Sequence, residues 1–132
     1  MNCVLDASAA LEIAFSRKKS DLYSSIIENA NWVIAPDLFV SETTNVIWKY
    51  HCFQDIPINL CKDLLDQAIA LVDDFINATF LYQEAFAFAS QAGHPVYDML
   101  YLVAARRYNA TLLTEDKQLI KFCKKYAVKI VQ

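Results

Sequence analysis

The chain has 132 residues, 56% of them hydrophobic, and a formal net charge of −3. That length suits one domain with one core, over residues 1–132. The apolar runs are cut by Asp6, Asp73, Glu84 and Asp98 before any spans a membrane, and the opening six residues lack the basic start of an export signal. Four scattered cysteines without a paired spacing, beside only two histidines, argue against a zinc cage. A cytoplasmic protein with reduced, structural cysteines and no membrane partner is expected.

Residues 3–5 are apolar and run into Asp6-Ala7-Ser8, a strand feeding a helix over 9–15. Arg17-Lys18-Lys19 breaks the pattern before a second helix at 22–28. Residues 32–35 read as a strand closed by Pro36-Asp37, and 38–50 have helical periodicity. A helix over 60–75 is entered through Pro57 and Asn59. A short strand at 79–81 and a helix at 84–91 lead to the loop Gly93-His94-Pro95. A strongly apolar helix follows at 96–108, then a strand at 111–113 ending at Thr114-Glu115-Asp116. A helix at 117–124 and a last strand at 128–131 close the chain. Short apolar strands alternating with helices predict an α/β fold of three layers, α/β/α, with a central parallel sheet. Ligands of such sheets sit at the carboxyl ends of the strands.

Four acids deserve separate weighing, because each has an ordinary structural reading. Asp6 and Asp116 each follow a strand, where aspartate commonly caps the next helix. Glu42 shares a polar stripe with Asn45 and Lys49, which would be a solvated face, with Phe39, Val46 and Tyr50 expected on the other side. Asp98 is less easily explained, since its helix is apolar almost all round and a buried carboxylate needs a partner. Together the four acquire another meaning. Strand ends and a helix start should bring them to one sheet edge, and like charges so placed need a counter-ion. A hard divalent cation such as Mg²⁺ or Mn²⁺ takes oxygen ligands and would serve water attack on a phosphodiester.

These segments resemble those of PIN domains. Val4-Leu5-Asp6-Ala7-Ser8 is similar to the family's opening strand, and Pro36-Asp37-Leu38-Phe39-Val40-Ser41-Glu42-Thr43-Thr44-Asn45 to its second block. Tyr97-Asp98-Met99-Leu100-Tyr101 resembles the third block and Leu112-Leu113-Thr114-Glu115-Asp116 the fourth. The order is the family's, and the length resembles that of VapC-type toxins of toxin–antitoxin pairs. The resemblance implies an endoribonuclease using Mg²⁺ or Mn²⁺ and held inactive by a cognate antitoxin. It carries Asp6, Glu42, Asp98 and Asp116 over as the catalytic, metal-binding acids, with Ser8, Asn45 and Thr114 as polar support. Two departures stand out: Met99 where a small residue is frequent, and Glu115 as an extra acid beside Asp116.

The negative charge does not exclude an RNA substrate. Without the four site acids the formal net charge of −3 becomes +1. Basic clusters at Arg17-Lys18-Lys19, Arg106-Arg107 and Lys121 with Lys124-Lys125 are ordinarily solvated surface, but would hold phosphates where they flank the site. Phe80, Leu81, Tyr82, Phe86 and Phe88 form a segment too apolar for a free surface, which points to a homodimer or an antitoxin helix. Other readings are a PIN nuclease outside a toxin pair, an aspartyl-phosphate receiver or phosphatase, and a non-catalytic interaction domain. The receiver lacks its paired acids near the first strand, and the phosphatase its two aspartates flanking one residue.

Overall fold

Four short runs of extended chain pair side by side in the computed structural model, which describes residues 1–131. They are β1 (Asn2–Leu5), β2 (Trp32–Pro36), β3 (Asp74–Ile76) and β4 (Thr111–Leu113), in the order β3-β2-β1-β4 with every pair parallel. Cys3 of β1 lies opposite Val33 and Thr111, and Val4 opposite Ile34 and Leu112. Parallel sheets are covered on both faces, so central strands read as unbroken apolar runs. Cys3, Val4 and Leu5 accordingly have no exposed surface.

Seven helices connect and cover these strands among the described residues. They are α1 (Ala7–Ala14), α2 (Ser20–Asn29), α3 (Leu38–Gln54), α4 (Ile58–Ala70), α5 (Tyr82–Ala92), α6 (Val96–Arg107) and α7 (Lys117–Lys125). The main core gathers around α6, which packs on β1, β2 and β4 and buries every residue from Met99 to Ala105. A smaller cluster of Leu11, Ile47, Cys61 and Leu64 joins α1 to the α3–α4 pair. The three-layer α/β/α architecture therefore stands as the sequence implies.

Topology decides where a ligand can reach. The chain steps from β1 to β2 to β3 in one direction, then returns to place β4 on the other side of β1. The crevice at this reversal opens at the carboxyl ends of β1 and β4. Pairing continues there for one more residue, with the Asp6 amide donating to the Leu113 carbonyl at 3.0 Å.

Three elements differ from the sequence expectation, each for a local reason. The helix expected over 60–75 stops at Ala70, and Asp74–Ile76 becomes the edge strand β3. The Asp73 amide donates to the Val33 carbonyl at 2.8 Å, and the Val33 amide donates to the Asp73 carboxylate at 2.8 Å. The strand expected at 79–81 is a 3₁₀ turn, Ala78–Phe80, started by Asn77, whose side chain accepts from the Thr79 amide. The strand expected at 128–131 is reduced to a single bridge between Ile130 and Leu112. The structure also sorts the apolar segment after β3: Leu81 is buried and Phe88 half-buried, while Phe80, Tyr82 and Phe86 are exposed. All four cysteines are free and three are buried. No helix among the described residues is long and apolar enough to cross a membrane.

Candidate active site

Asp6 begins where β1 ends, and its extended backbone (φ −83, ψ 151) places it at the start of α1. The capping role expected of an aspartate there is not taken up: its side chain bonds none of the free amides of α1. Instead Oδ2 accepts from the Ser8 hydroxyl at 2.7 Å and the Thr114 hydroxyl at 2.6 Å. Those hydroxyls accept in turn from the Glu115 amide at 2.9 Å and the Asp116 amide at 3.0 Å. A donor–acceptor chain thus stitches the end of β1 to the end of β4 and fixes the orientation of Asp6.

Glu42 projects from the second turn of α3 toward the same crevice. Its Oε1 accepts from the hydroxyl of Tyr101 at 2.5 Å, a side chain on α6 with 1% exposure. The cavity face of α3 runs through Glu42, Val46 and Tyr50, which corrects the expectation that Val46 and Tyr50 face away. A four-residue step advances about 40° around a helix, whereas a three-residue step falls about 60° to the other side. Asn45 and Lys49 therefore sit on the exposed flank, outside the cavity lining.

Asp98 lies in the first turn of α6 and is only partly buried, at 24% side-chain exposure. Its Oδ2 meets Nε2 of His94 at 2.7 Å, and the His94 ring leans on Phe122. Asp116, exposed at the start of α7, caps that helix through Oδ1, which accepts from the Gln118 and Leu119 amides. The neighbouring Glu115 is tied differently: its Oε2 accepts from the Tyr23 hydroxyl and meets Nζ of Lys19 at 3.1 Å. Lys19 thus compensates Glu115 within the chain, while Asp116 has no cation of its own among the described residues.

Asp6, Glu42, Asp98 and Asp116 line one open cavity of about 360 Å³, together with Ser8, Glu12, Arg17 and Glu115. Burial raises the pKa of Asp6 and of Glu42 above the ordinary carboxylate range. Hydroxyl donors work against that rise, while the charges of Asp98 and Asp116 add to it for both, and that of Asp6 adds to it for Glu42. Tyr101 is pushed up as well, by burial and by the same carboxylates, so its hydroxyl stays a donor.

The donor set suits a hard cation. Each of the four carboxylates commits one oxygen to the fold and leaves the other without a hydrogen bond among the described residues. All the free donors are oxygens, as Mg²⁺ and Mn²⁺ require. The side chains are not drawn into a closed cage, since no group of three acids, histidines or cysteines among the described residues holds a metal as it stands. Mg²⁺ commonly keeps several waters between itself and its ligands, so carboxylates set wider than a closed cage still suit it.

Sequence reasoning missed Tyr101, His94 and Tyr23. Tyr101 lies three residues after Asp98 on the same helix, but within an apolar run it reads as core.

The profile of the PIN domain family matches residues 3–125. The chain is 29% identical over 124 residues to Ribonuclease VapC3 of Pyrobaculum aerophilum, covering 90% of this chain and 92% of that one. A Pyrobaculum aerophilum protein solved by crystallography shares the fold with a TM-score of 0.77 at 21% identity, over 98% of this chain and 83% of that one. VapBC2 of Rickettsia felis, solved bound to a DNA fragment from its promoter, gives a TM-score of 0.68 at 18% identity, over 99% and 98% of the two chains.

Proposed function

The chain belongs to the PIN domain family, and from that premise we propose that it is a divalent-metal-dependent endoribonuclease, the toxin of a toxin–antitoxin pair. It works as a single domain over residues 1–132. The observation that carries this reading is the set of four carboxylates around one cavity, each with one oxygen anchored and one free. The likeness to Ribonuclease VapC3 supports RNA as substrate and a toxin's role.

Asp6, Glu42, Asp98 and Asp116 would hold Mg²⁺ or Mn²⁺. That cation, when bound, lowers the pKa of water and neutralises charge on the phosphodiester. The chain's own groups supply orientation. Ser8 and Thr114 lock the Asp6 carboxylate through Oδ2 and leave Oδ1 without a hydrogen bond among the described residues. Tyr101 fixes Glu42 through Oε1, so Oε2 is the oxygen left for the cation.

Two apolar surfaces support partners. A groove between α3 and α4, lined by Ile47, Trp48, Ile58, Cys61 and Leu65, suits an amphipathic antitoxin segment. Exposed Phe80, Tyr82 and Phe86, close together in sequence at the start of α5, offer apolar surface suited to a homodimer. Such a pair would act in the cytoplasm. The deciding experiment incubates the purified chain with total RNA. Cleavage in Mg²⁺ or Mn²⁺, its loss in EDTA, and its recovery on adding metal back are expected. Undiminished cleavage in excess EDTA overturns the metal-dependent reading. Growth arrest relieved by co-expressing the product of the neighbouring reading frame tests the toxin role.

A further inference from the structure

The acidic cavity has a difficulty as a site for RNA: its lining carries the carboxylates of Asp6, Glu12, Glu42, Asp98, Glu115 and Asp116. A polyanion approaching it meets a repelling field unless fixed cations stand at the rim. Among the described residues the only cation in that lining is Arg17. A free guanidinium beside so many acids would ordinarily fold onto one of them. Arg17 does not, for no carboxylate among the described residues lies within salt-bridge distance of it.

Two aromatic rings hold it back. The Arg17 guanidinium carbon lies 4.8 Å from the ring centre of Phe15 and 5.4 Å from that of Tyr50. One Nη donates to the Tyr50 hydroxyl. The rings support each other, with centroids 4.7 Å apart. The backbone beneath is also set: the Arg17 amide donates to the Glu12 carbonyl at 2.8 Å, and the Ser20 amide to the Arg17 carbonyl at 3.0 Å. A stacked guanidinium keeps donors along its edge, in a fork that matches the oxygens of a phosphate.

We propose that Arg17 is a phosphate-binding residue of the active site, held by Phe15 and Tyr50 to grip the backbone of a single-stranded RNA as it enters the acidic cavity. This rests on the ribonuclease reading given above. It assigns the RNA strand a fixed anchor that the metal does not provide, since the cation serves the bond being cut and Arg17 a phosphate at the rim. Lys19 does not line the cavity and is paired with Glu115.

The test uses the full chain, Mn²⁺ and a fluorescent single-stranded RNA pool of mixed sequence. Binding and cleavage are followed across a salt series, and Mn²⁺ affinity is measured separately by calorimetry without RNA. Arg17→Ala should weaken RNA binding about tenfold, the loss of one charge-assisted contact, and lower the magnitude of the salt slope by about one. Mn²⁺ affinity should hold or rise, since a nearby cation is removed. Arg17→Lys should restore the salt slope but not all of the affinity, because an ammonium lacks the fork. Unchanged RNA affinity and salt slope in Arg17→Ala, with Mn²⁺ binding tighter, would mean that Arg17 merely screens the acids and would overturn the proposal. Wild-type protein that binds Mn²⁺ but neither binds nor cuts RNA would bring down the ribonuclease reading itself, and this proposal with it.

Discussion

Replacing Tyr101 by Phe removes one oxygen from the core and tests how the site sets the charge of Glu42. Tyr101 has 1% exposure and donates to Glu42 Oε1 at 2.5 Å. Its own pKa is raised, by burial first and then by Asp6 and Glu42, so the hydroxyl remains protonated and the bond persists at any working pH. Burial raises the pKa of Glu42, and this hydroxyl is the hydrogen bond that opposes the rise. A hydrogen bond to a charged group contributes about 1.5–3 kcal/mol. Glu42 opens onto a wet cavity, and water replaces part of the lost donor, so the lower end applies. With 1.36 kcal/mol per pH unit, the variant's Glu42 should lose its charge about one unit higher in pH. Metal binding needs that charge. The pH midpoint of Mn²⁺ affinity should therefore move up by about one unit, with affinity at pH below that midpoint falling by about tenfold. Calorimetric Mn²⁺ titrations at pH 5.5 to 8.5 read both quantities without needing to know the RNA target. A midpoint unmoved in a folded Tyr101→Phe protein refutes the assignment, for the hydroxyl would then not govern Glu42.

Further outcomes follow from the same geometry. Asp6→Asn keeps an oxygen for the Ser8 and Thr114 hydroxyls but removes a charge that burial and the nearby Asp98 and Asp116 disfavour. Its metal-free melting temperature should rise while Mn²⁺ binding drops more than tenfold, in line with losing a ligand; a lowered melting temperature with Mn²⁺ binding intact contradicts this. Because Asp6 and Glu42 have raised pKa values in the fold, their contribution to metal-free stability is full below the ordinary carboxylate pKa and is lost as pH rises through the raised values. Mn²⁺ binds the ionised forms, so its stabilising effect in thermal melts should grow from pH 5.5 to pH 8, and an equal effect at both ends argues against these ligands. Thr114→Val removes a 3%-exposed hydroxyl that donates to Asp6 and accepts from the Asp116 amide. Denaturant unfolding should show a loss of about 1–3 kcal/mol, and a loss below 0.5 kcal/mol would mean that water replaces both bonds.

The sheet was legible because its central strands are short, apolar and followed at once by polar helix starts. Residues 3–5 and 111–113 were legible as strands of one parallel sheet, which put Asp6 and Asp116 at one sheet edge; that the two strands are neighbours, with Asp6 meeting Thr114, follows only from the fold. The edge strand β3 was not legible. Two of its three residues are exposed, and what makes it a strand is pairing with β2 and the Asp73 bonds to Val33, forty positions away. Tyr101 was hidden for a related reason. In an apolar helix a tyrosine reads as core, and only the approach of α3 gives its hydroxyl a carboxylate to meet. Arg17 was visible only as one member of a basic run. Its separation from Lys18 and Lys19 depends on the fold bringing Tyr50 beside Phe15.

Asp6 and Asp116 show how one residue type in one kind of position acquires two duties. Both follow a strand and both stand at a helix start. Asp116 caps α7 through Oδ1 and so joins the cavity with its other oxygen while stabilising its own helix. Asp6 gives up the cap. Ser8 and Thr114 offer it hydroxyl donors instead, and both hydroxyls are themselves oriented by amides of the β4–α7 connection. Leaving α1 without that cap costs about 1 kcal/mol by the usual measure of such caps. The donors that replace it point the carboxylate into the crevice at the β1–β4 reversal, where no helix amide would hold it. The exchange ties β1 to β4, and it also gives a cation ligand a fixed direction and a free oxygen. The uncapped start of α1 is therefore itself an argument that Asp6 is placed for chemistry rather than for the helix it begins.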